Sequence, residues 1–213
     1  MAKTRLEAMQ AKMEEKLGPR QGAGVAGAME REYRALCAGA ADQPKSFERH
    51  TRKNIFPAAA AFRALLAEGM EREQAAKLTE TSFLELMDAP AEAIRKILKV
   101  PGLYRLMPRI WKTMMPKMFR EDSGFRFRFY PTDGKRVKFD MLECPYHQTC
   151  RKLGCEELAP IFCTTDDICY GHMHRNLVWN RTKTLARGGD CCDFDLIVRD
   201  NGKQGPGTGC PPA

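Results

Sequence analysis

The chain has 213 residues, 29% charged and 43% hydrophobic, with a formal net charge of +8 and a mean hydropathy of -0.47. That balance excludes a disordered or fibrous chain and supplies enough apolar residues for one sizeable core or two small ones. No apolar run approaches the roughly 18 to 20 residues that cross a bilayer. The first twenty residues mix charges with apolar residues at helical spacing and lack the apolar segment of a secretory signal, which points to a cytoplasmic protein.

The charge is uneven. Residues 1–120 carry 22 Lys and Arg against 14 Asp and Glu, whereas residues 121–213 carry 13 of each. Eight of the nine cysteines lie between Cys144 and Cys210. An odd count without a secretory signal reads as reduced thiols, a metal site or catalysis rather than a disulfide framework.

From Thr4 to about Phe119 good helix formers dominate, with breaks at Gly18-Pro19, Gln43-Pro44, Ala89-Pro90 and Pro101-Gly102, so residues 1–120 are predicted to be helical. Segment 59–70 sets Phe62, Leu65 and Leu66 on one face and ends at Gly69; 71–86 repeats the pattern and 91–100 gives a further helix. Eight cations from Arg95 to Arg120 occur with no acid between Glu92 and Glu121. Interleaved Leu103, Met107, Ile110, Trp111, Met114, Met115 and Met118 make the stretch amphipathic, as in a helix packed on a sheet with a solvated basic rim. The same profile suits an anionic membrane or an acidic partner, although Pro108 and Pro116 interrupt a single long helix. No Rossmann, P-loop or nucleic-acid motif accompanies the charge, so nucleic acid is not an expected partner.

After Glu121 the period changes. Residues 125–130 alternate apolar and basic, Asp133-Gly134 signals a hairpin, and 137–141 alternate again. Helices are predicted over 146–153 and 164–173, separated by Pro160, then strands over 177–184 and 192–198 around a Gly188-Gly189 turn. The Gly/Pro-rich 201–213 segment reads as a flexible tail. The expected fold is α+β: a helical N-terminal region packed on a C-terminal antiparallel sheet with short helices (121–200), the pocket lying between them. Oligomeric state stays open, a homo-oligomer included.

The thiols and histidines call for a metal test. Cys144-x2-His147-x2-Cys150, Cys155, Cys163-x5-Cys169, His172-x-His174 and Cys191-Cys192 supply ligand types, but no spacing matches a zinc ribbon or finger. His172 and His174 read as solvent-facing residues at a helix end. Cys163, placed near a predicted helix start, would have its thiolate favoured by the helix dipole; Cys144, just before Pro145, gains by the same argument. Asp166 follows Cys163 by three residues and so falls on the same helix face. Asp193 directly follows Cys192 and points to the opposite sheet face, so the two share a pocket only across a bulge.

The order Glu143-Cys144-Pro145-Tyr146, Leu153-Gly154-x2-Glu157-Leu158-x-Pro160-x-Phe162-Cys163-x2-Asp166 and Arg181-x2-Thr184-Leu185-x2-Gly188-x3-Cys192-Asp193-Phe194 resembles the L-2-amino-thiazoline-4-carboxylic acid hydrolase family. Upstream, His50 with Asn54-Ile55-x-Pro57 and the Ala59 to Gly69 helix extend the likeness. The resemblance implies hydrolysis of a carbon–nitrogen bond in a small carboxylated cyclic amidine. It also implies catalytic roles for Cys163, Asp166, Cys192 and Asp193, and substrate binding by Arg181, Thr184 and His50. Arg181 would grip the substrate carboxylate, and the chemistry would run by thiolate attack or by a carboxylate-activated water. A second likeness, to vinyl-4-reductase-type ligand-binding domains, is carried by Gly189-Asp190 and Cys192. Zinc-binding sensors of that group use three cysteines and a glutamate; Cys163 and Cys192 keep two positions, but Arg181 and Thr184 stand at the others. Arginine does not ligate zinc. The expected cofactor is therefore none. The alternative is a non-catalytic small-molecule or metal-binding module related to those sensor domains, in which zinc, where present, would be held by Cys144, Cys163 and Cys192.

Overall fold

The computed structural model describes residues 3–199. Helix α1 (Arg5–Leu17) opens on a capping box, in which the Glu7 N–H donates to Thr4 Oγ1 at 3.2 Å and the Thr4 N–H donates to Glu7 Oε2 at 2.7 Å. Gly18, at φ 78°, turns the chain into α2 (Pro19–Ala38), with Pro19 in its first turn. The two helices touch backbone to backbone at Gly22, where a Cβ would fall on Glu14 Cα. Leu6, Met9, Met13, Val25 and Met29 are buried on this pair, which packs on α4 (Phe56–Ala67).

A short helix, α3 (Lys45–His50), runs into α4 through a π-helical turn, Thr51–Ile55, so the helix begins well ahead of the predicted residue 59. The widened turn precedes Pro57, which has no N–H to donate to the carbonyl four residues back. Ala58, Ala59, Ala60, Ala61, Ala64 and Leu65 are fully buried, so α4 is a core helix rather than an amphipathic one.

Then come α5 (Arg72–Leu84), a 3-10 turn (Glu85–Met87), α6 (Asp88–Ile97), another 3-10 turn (Leu103–Leu106) and α7 (Met107–Met118). The chain does not break at Pro90, which stands in the first turn of α6, where an N–H has no intrahelical partner. Helix α7 lays Trp111 and Met115 on the sheet and leaves Lys112, Met114 and Lys117 to solvent, the basic rim expected.

The sheet is antiparallel, in the order β1 (Arg126–Phe129), β2 (Arg136–Glu143), β4 (Cys192–Val198), β3 (Leu177–Asn180). In the β1–β2 hairpin Asp133 Oδ1 accepts from the Lys135 N–H at 2.8 Å. Val137, Phe139 and Met141 stand opposite Leu196, Phe194 and Cys192 on the inner face. The other face carries ion pairs such as Arg128–Asp140 and Arg136–Asp195, each at 2.6 Å. Strand β3 ends at Asn180, short of the predicted residue 184. The following loop leaves the sheet because Asp193 accepts the N–H groups of Thr182 and Lys183 (2.9 and 2.8 Å) and the Thr182 hydroxyl (2.6 Å).

Between β2 and β3 lie α8 (Pro145–Lys152) and α9 (Ala159–Tyr170). Pro160 does not separate two helices. It sits in the first turn of α9, so that helix starts five residues before the predicted 164. One hydrophobic cluster joins side chains from α1 to β4. The 201–213 tail and Cys210 lie outside the described residues, among which no helix is long and apolar enough to cross a membrane.

Candidate active site

Between α9, α7 and the inner face of the sheet lies a cavity of about 130 Å³. Its size matches a single ring, since an engineered cavity of roughly 150 Å³ takes up benzene. Phe83, Trp111, Phe139, Phe162 and Phe194 supply apolar wall; Cys163, Asp166, Tyr146, His147, Arg5 and Arg181 supply the polar groups.

Cys163 and Asp166 occupy successive turns of α9, as the spacing predicted. Cys163 lies in the second turn rather than at the helix start, which removes the dipole argument for its thiolate, because that effect fades beyond the first turn. Its thiol is nevertheless shifted to lower pKa. The Cys192 thiol donates a hydrogen bond to it and outweighs burial, with the Arg181 charge, the Thr184 hydroxyl and Arg187 adding in the same sense. Cys192 is pushed up by that donation and by burial, and its sulfur also accepts the Leu185 N–H at 3.3 Å. Thr184 Oγ1 is buried and has no hydrogen-bond partner of normal geometry. The Asp166 carboxyl is pushed up to about 7, first by desolvation, with Arg181 opposing and Cys163 and Asp167 reinforcing. The Asp166 side chain is 31% accessible and lines the cavity.

Arg181 is 2% exposed and already engaged. It donates to Asp166 Oδ2 at 3.1 Å, to Asp167 Oδ2 at 2.7 Å and to the Cys163 carbonyl at 2.7 Å, and it stacks on Phe194 and Trp179. Two protein carboxylates thus occupy the fork where a substrate carboxylate was expected. Asp193 is not brought to the cavity: it faces away from Cys192, as strand alternation required, and holds the 182–183 loop. His50 stands behind the cavity wall. Its Nε2 lies 3.0 Å from the Met118 carbonyl and so carries the proton, which leaves Nδ1 to accept from the Tyr146 hydroxyl at 2.9 Å. Asn54 Nδ2 donates to the same hydroxyl at 2.9 Å. Burial lowers the pKa of His50, with the Met118 carbonyl opposing.

Tyr146, which stands in the Glu143-Cys144-Pro145-Tyr146 motif, and His147, a metal-ligand type, both line the cavity, and no sequence pattern points to a role for either there. Arg5 reaches the wall from α1 with no motif to announce it. His172 is exposed as expected, but His174 stacks on Tyr104 at 4.3 Å and accepts the Asn176 N–H at 3.1 Å. Among the described residues no three His, Cys, Asp or Glu side chains are arranged to hold a metal ion, and Arg181 places a cation beside Cys163. The residues present do not fit the zinc alternative on Cys144, Cys163 and Cys192.

A family model described as L-2-amino-thiazoline-4-carboxylic acid hydrolase matches residues 48–196. The chain belongs to this family. No curated protein and no solved structure matches it. The segment shared with the L-2-amino-thiazoline-4-carboxylic acid hydrolase family begins two residues before His50 and ends inside β4. It therefore contains Cys163, Asp166, Arg181, Thr184 and Cys192 and leaves α1 and α2 outside.

Proposed function

We propose that this protein hydrolyses a carbon–nitrogen bond of a small carboxylated cyclic amidine, with 2-amino-thiazoline-4-carboxylate, named in the family description, as the first candidate. The observation that carries the reading is the Cys163 thiol, biased toward thiolate, beside the Asp166 carboxyl on the wall of a one-ring cavity. The thiolate is the nucleophilic form of cysteine, and an acid titrating near 7 can give up and take back a proton at neutral pH.

In the proposed sequence Cys163 Sγ adds to the amidinium carbon, and the C=N electron pair returns to nitrogen. That nitrogen takes the Asp166 proton and leaves as an amine while the lone pair of the second amidine nitrogen re-forms a C=N bond to the carbon, now bonded to Sγ. The Asp166 carboxylate then accepts a proton from water as its oxygen adds to the same carbon. Expulsion of the thiolate completes the consumption of one water. Cys192 and Arg181 stabilise the thiolate at both ends of this cycle, and Arg181 fixes Asp166 in place.

The test is incubation of purified protein with 2-amino-thiazoline-4-carboxylate, read by mass spectrometry as gain of one water. Asp166→Asn is expected to lower kcat by about 10²- to 10⁴-fold, the range for a lost general acid. Cys163→Ala is expected to abolish turnover. Undiminished turnover by Cys163→Ala rejects the thiolate route; no turnover of any carboxylated cyclic amidine by wild type rejects the hydrolase reading.

A further inference from the structure

We infer that Arg5 forms an anion-binding subsite at the α1 side of the cavity and receives the carboxylate of the bound molecule. The inference rests on reading the cavity as a substrate site and is independent of the reaction that follows. Arg5 is the first residue of α1, fixed there by the Thr4–Glu7 capping box and by Leu6, Met9 and Met13 buried behind it. Its guanidinium lies 5.0 Å from the centroid of the Phe83 ring, and its Nη1 meets the Met87 thioether at 3.8 Å. Among the described residues no carboxylate pairs with it.

The contrast with the other cavity arginine is chemical. Arg181 is engaged by Asp166 and Asp167, and Asp166 is the single carboxyl among the residues lining the cavity. The other wall group biased toward an anion, the Cys163 thiol, lies beside Arg181, whose guanidinium donates to the Cys163 carbonyl. Arg5 is therefore the cavity arginine without a carboxylate partner among the described residues, in a partly desolvated place where burial works against its charged form. Such a cation is stabilised when an anion arrives, and the planar fork suits a carboxylate held by two parallel hydrogen bonds. Phe83 beneath the guanidinium restricts how the fork turns. The ligand class that follows is a single-ring carboxylate, with its charged end toward α1 and its ring among the aromatic walls beside Cys163.

The experiment is calorimetric titration of wild type, Arg5→Gln and Arg5→Lys with two pairs of probes. One pair is 2-amino-thiazoline-4-carboxylate and 2-amino-thiazoline; the other is benzoate and benzamide. Wild type is expected to prefer the carboxylate of each pair, and Arg5→Gln to weaken that member by about ten- to hundredfold, the scale of a charged hydrogen-bonded contact, without changing its neutral partner. Arg5→Lys is expected to fall between, keeping charge without the fork. Melting curves of the three proteins check that each is folded, and Arg5, which pairs with no carboxylate among the described residues, can be replaced without stranding one of them. Equal weakening of both members by Arg5→Gln, or no carboxylate preference in wild type, overturns the subsite. If wild type binds the carboxylates through Arg5 but hydrolyses none, the subsite stands and the proposed reaction falls. If wild type turns over the thiazoline with a KM that Arg5→Gln leaves unchanged, the reverse holds.

Discussion

At Cys163 four groups act on one proton, since the Cys192 thiol donates to the sulfur, Arg181 places a buried charge beside it, and the Thr184 hydroxyl and Arg187 add to both against the opposing pull of burial. Replacing Cys192 with alanine removes the largest of these. The rate of Cys163 alkylation by iodoacetamide, followed against pH, is therefore expected to shift to higher pH in Cys192→Ala, whereas in wild type Cys163 labels ahead of the other cysteines at neutral pH; superimposable profiles would contradict the assignment. Asp166 works in the opposite sense. Its folded pKa, raised to about 7, exceeds the ordinary carboxyl value, so the folded protein binds the extra proton and this group's contribution to stability declines as pH rises from about 4 through 7. Melting temperatures across that window are expected to fall more steeply in wild type than in Asp166→Asn; parallel curves would deny the shift. Arg181, almost fully buried between two acids, is expected to lose about 3 to 5 kcal/mol of stability on change to alanine, measured by urea unfolding, because Asp166 and Asp167 are left uncompensated. A loss below about 1 kcal/mol, the scale of an exposed pair, would refute that role. The i, i+3 spacing made the Cys163–Asp166 pair legible in the sequence. The partners of Arg181 were not, because which acids meet an arginine depends on how α9 crosses the end of β3, a long-range placement that no local pattern encodes.

Elements were legible where local chemistry decides them and misread where a proline could be taken in either of two ways. Asp133-Gly134, the alternation of β2 and β4, and Pro145 at the start of α8 all came out as read. Pro90 and Pro160 read as breaks in the sequence, yet both stand in first turns, a position proline tolerates equally well. The π-helical turn at Thr51–Ile55 leaves no composition signal, although it holds His50 and Asn54 at the Tyr146 hydroxyl. Glycine in α2 offers a sharper test of packing. Gly22, Gly24 and Gly27 lie in one helix, but only at Gly22 would a Cβ fall on the backbone of α1; the nearest atoms at the other two lie 4.0 and 3.8 Å away. Gly24→Ala and Gly27→Ala are expected to stabilise the protein by about 0.5 to 1 kcal/mol, the ordinary helix-propensity gain. Gly22→Ala is expected to destabilise it by about 1 to 3 kcal/mol through forced separation of the two helices. Thermal unfolding of the three variants decides this, and a stabilising Gly22→Ala would show that α1 and α2 are not in backbone contact.

At the scale of the whole molecule, the segment that defines the family and the segment that folds are different lengths of chain. Residues 48–196 contain all but the last two residues of the sheet, α9 and nearly all of the cavity wall, but α4, a helix within them, is apolar and buried along most of its surface, with Arg63 its one charged residue. Ala58, Ala59, Ala60 and Ala61 are all at 0% exposure, and small side chains at such positions let a neighbouring helix approach closely. The neighbours are α1 and α2, which lie before residue 48 and bury Leu6, Met9, Met13, Val25 and Met29 on this side of the core. At about 1.5 to 3 kcal/mol for each fully buried apolar side chain, those five contribute roughly 7 to 15 kcal/mol, the size of a typical domain's entire net stability. Removing them also exposes α4 and takes Arg5 from the cavity rim. A fragment spanning 44–199 is therefore expected to lack a cooperative thermal transition and to show collapsed, poorly dispersed amide NMR signals, while residues 1–199 unfold cooperatively. Sharp, dispersed spectra and a cooperative melt from the 44–199 fragment would mean that the matched region supports its own core, and that α1 and α2 serve the cavity alone.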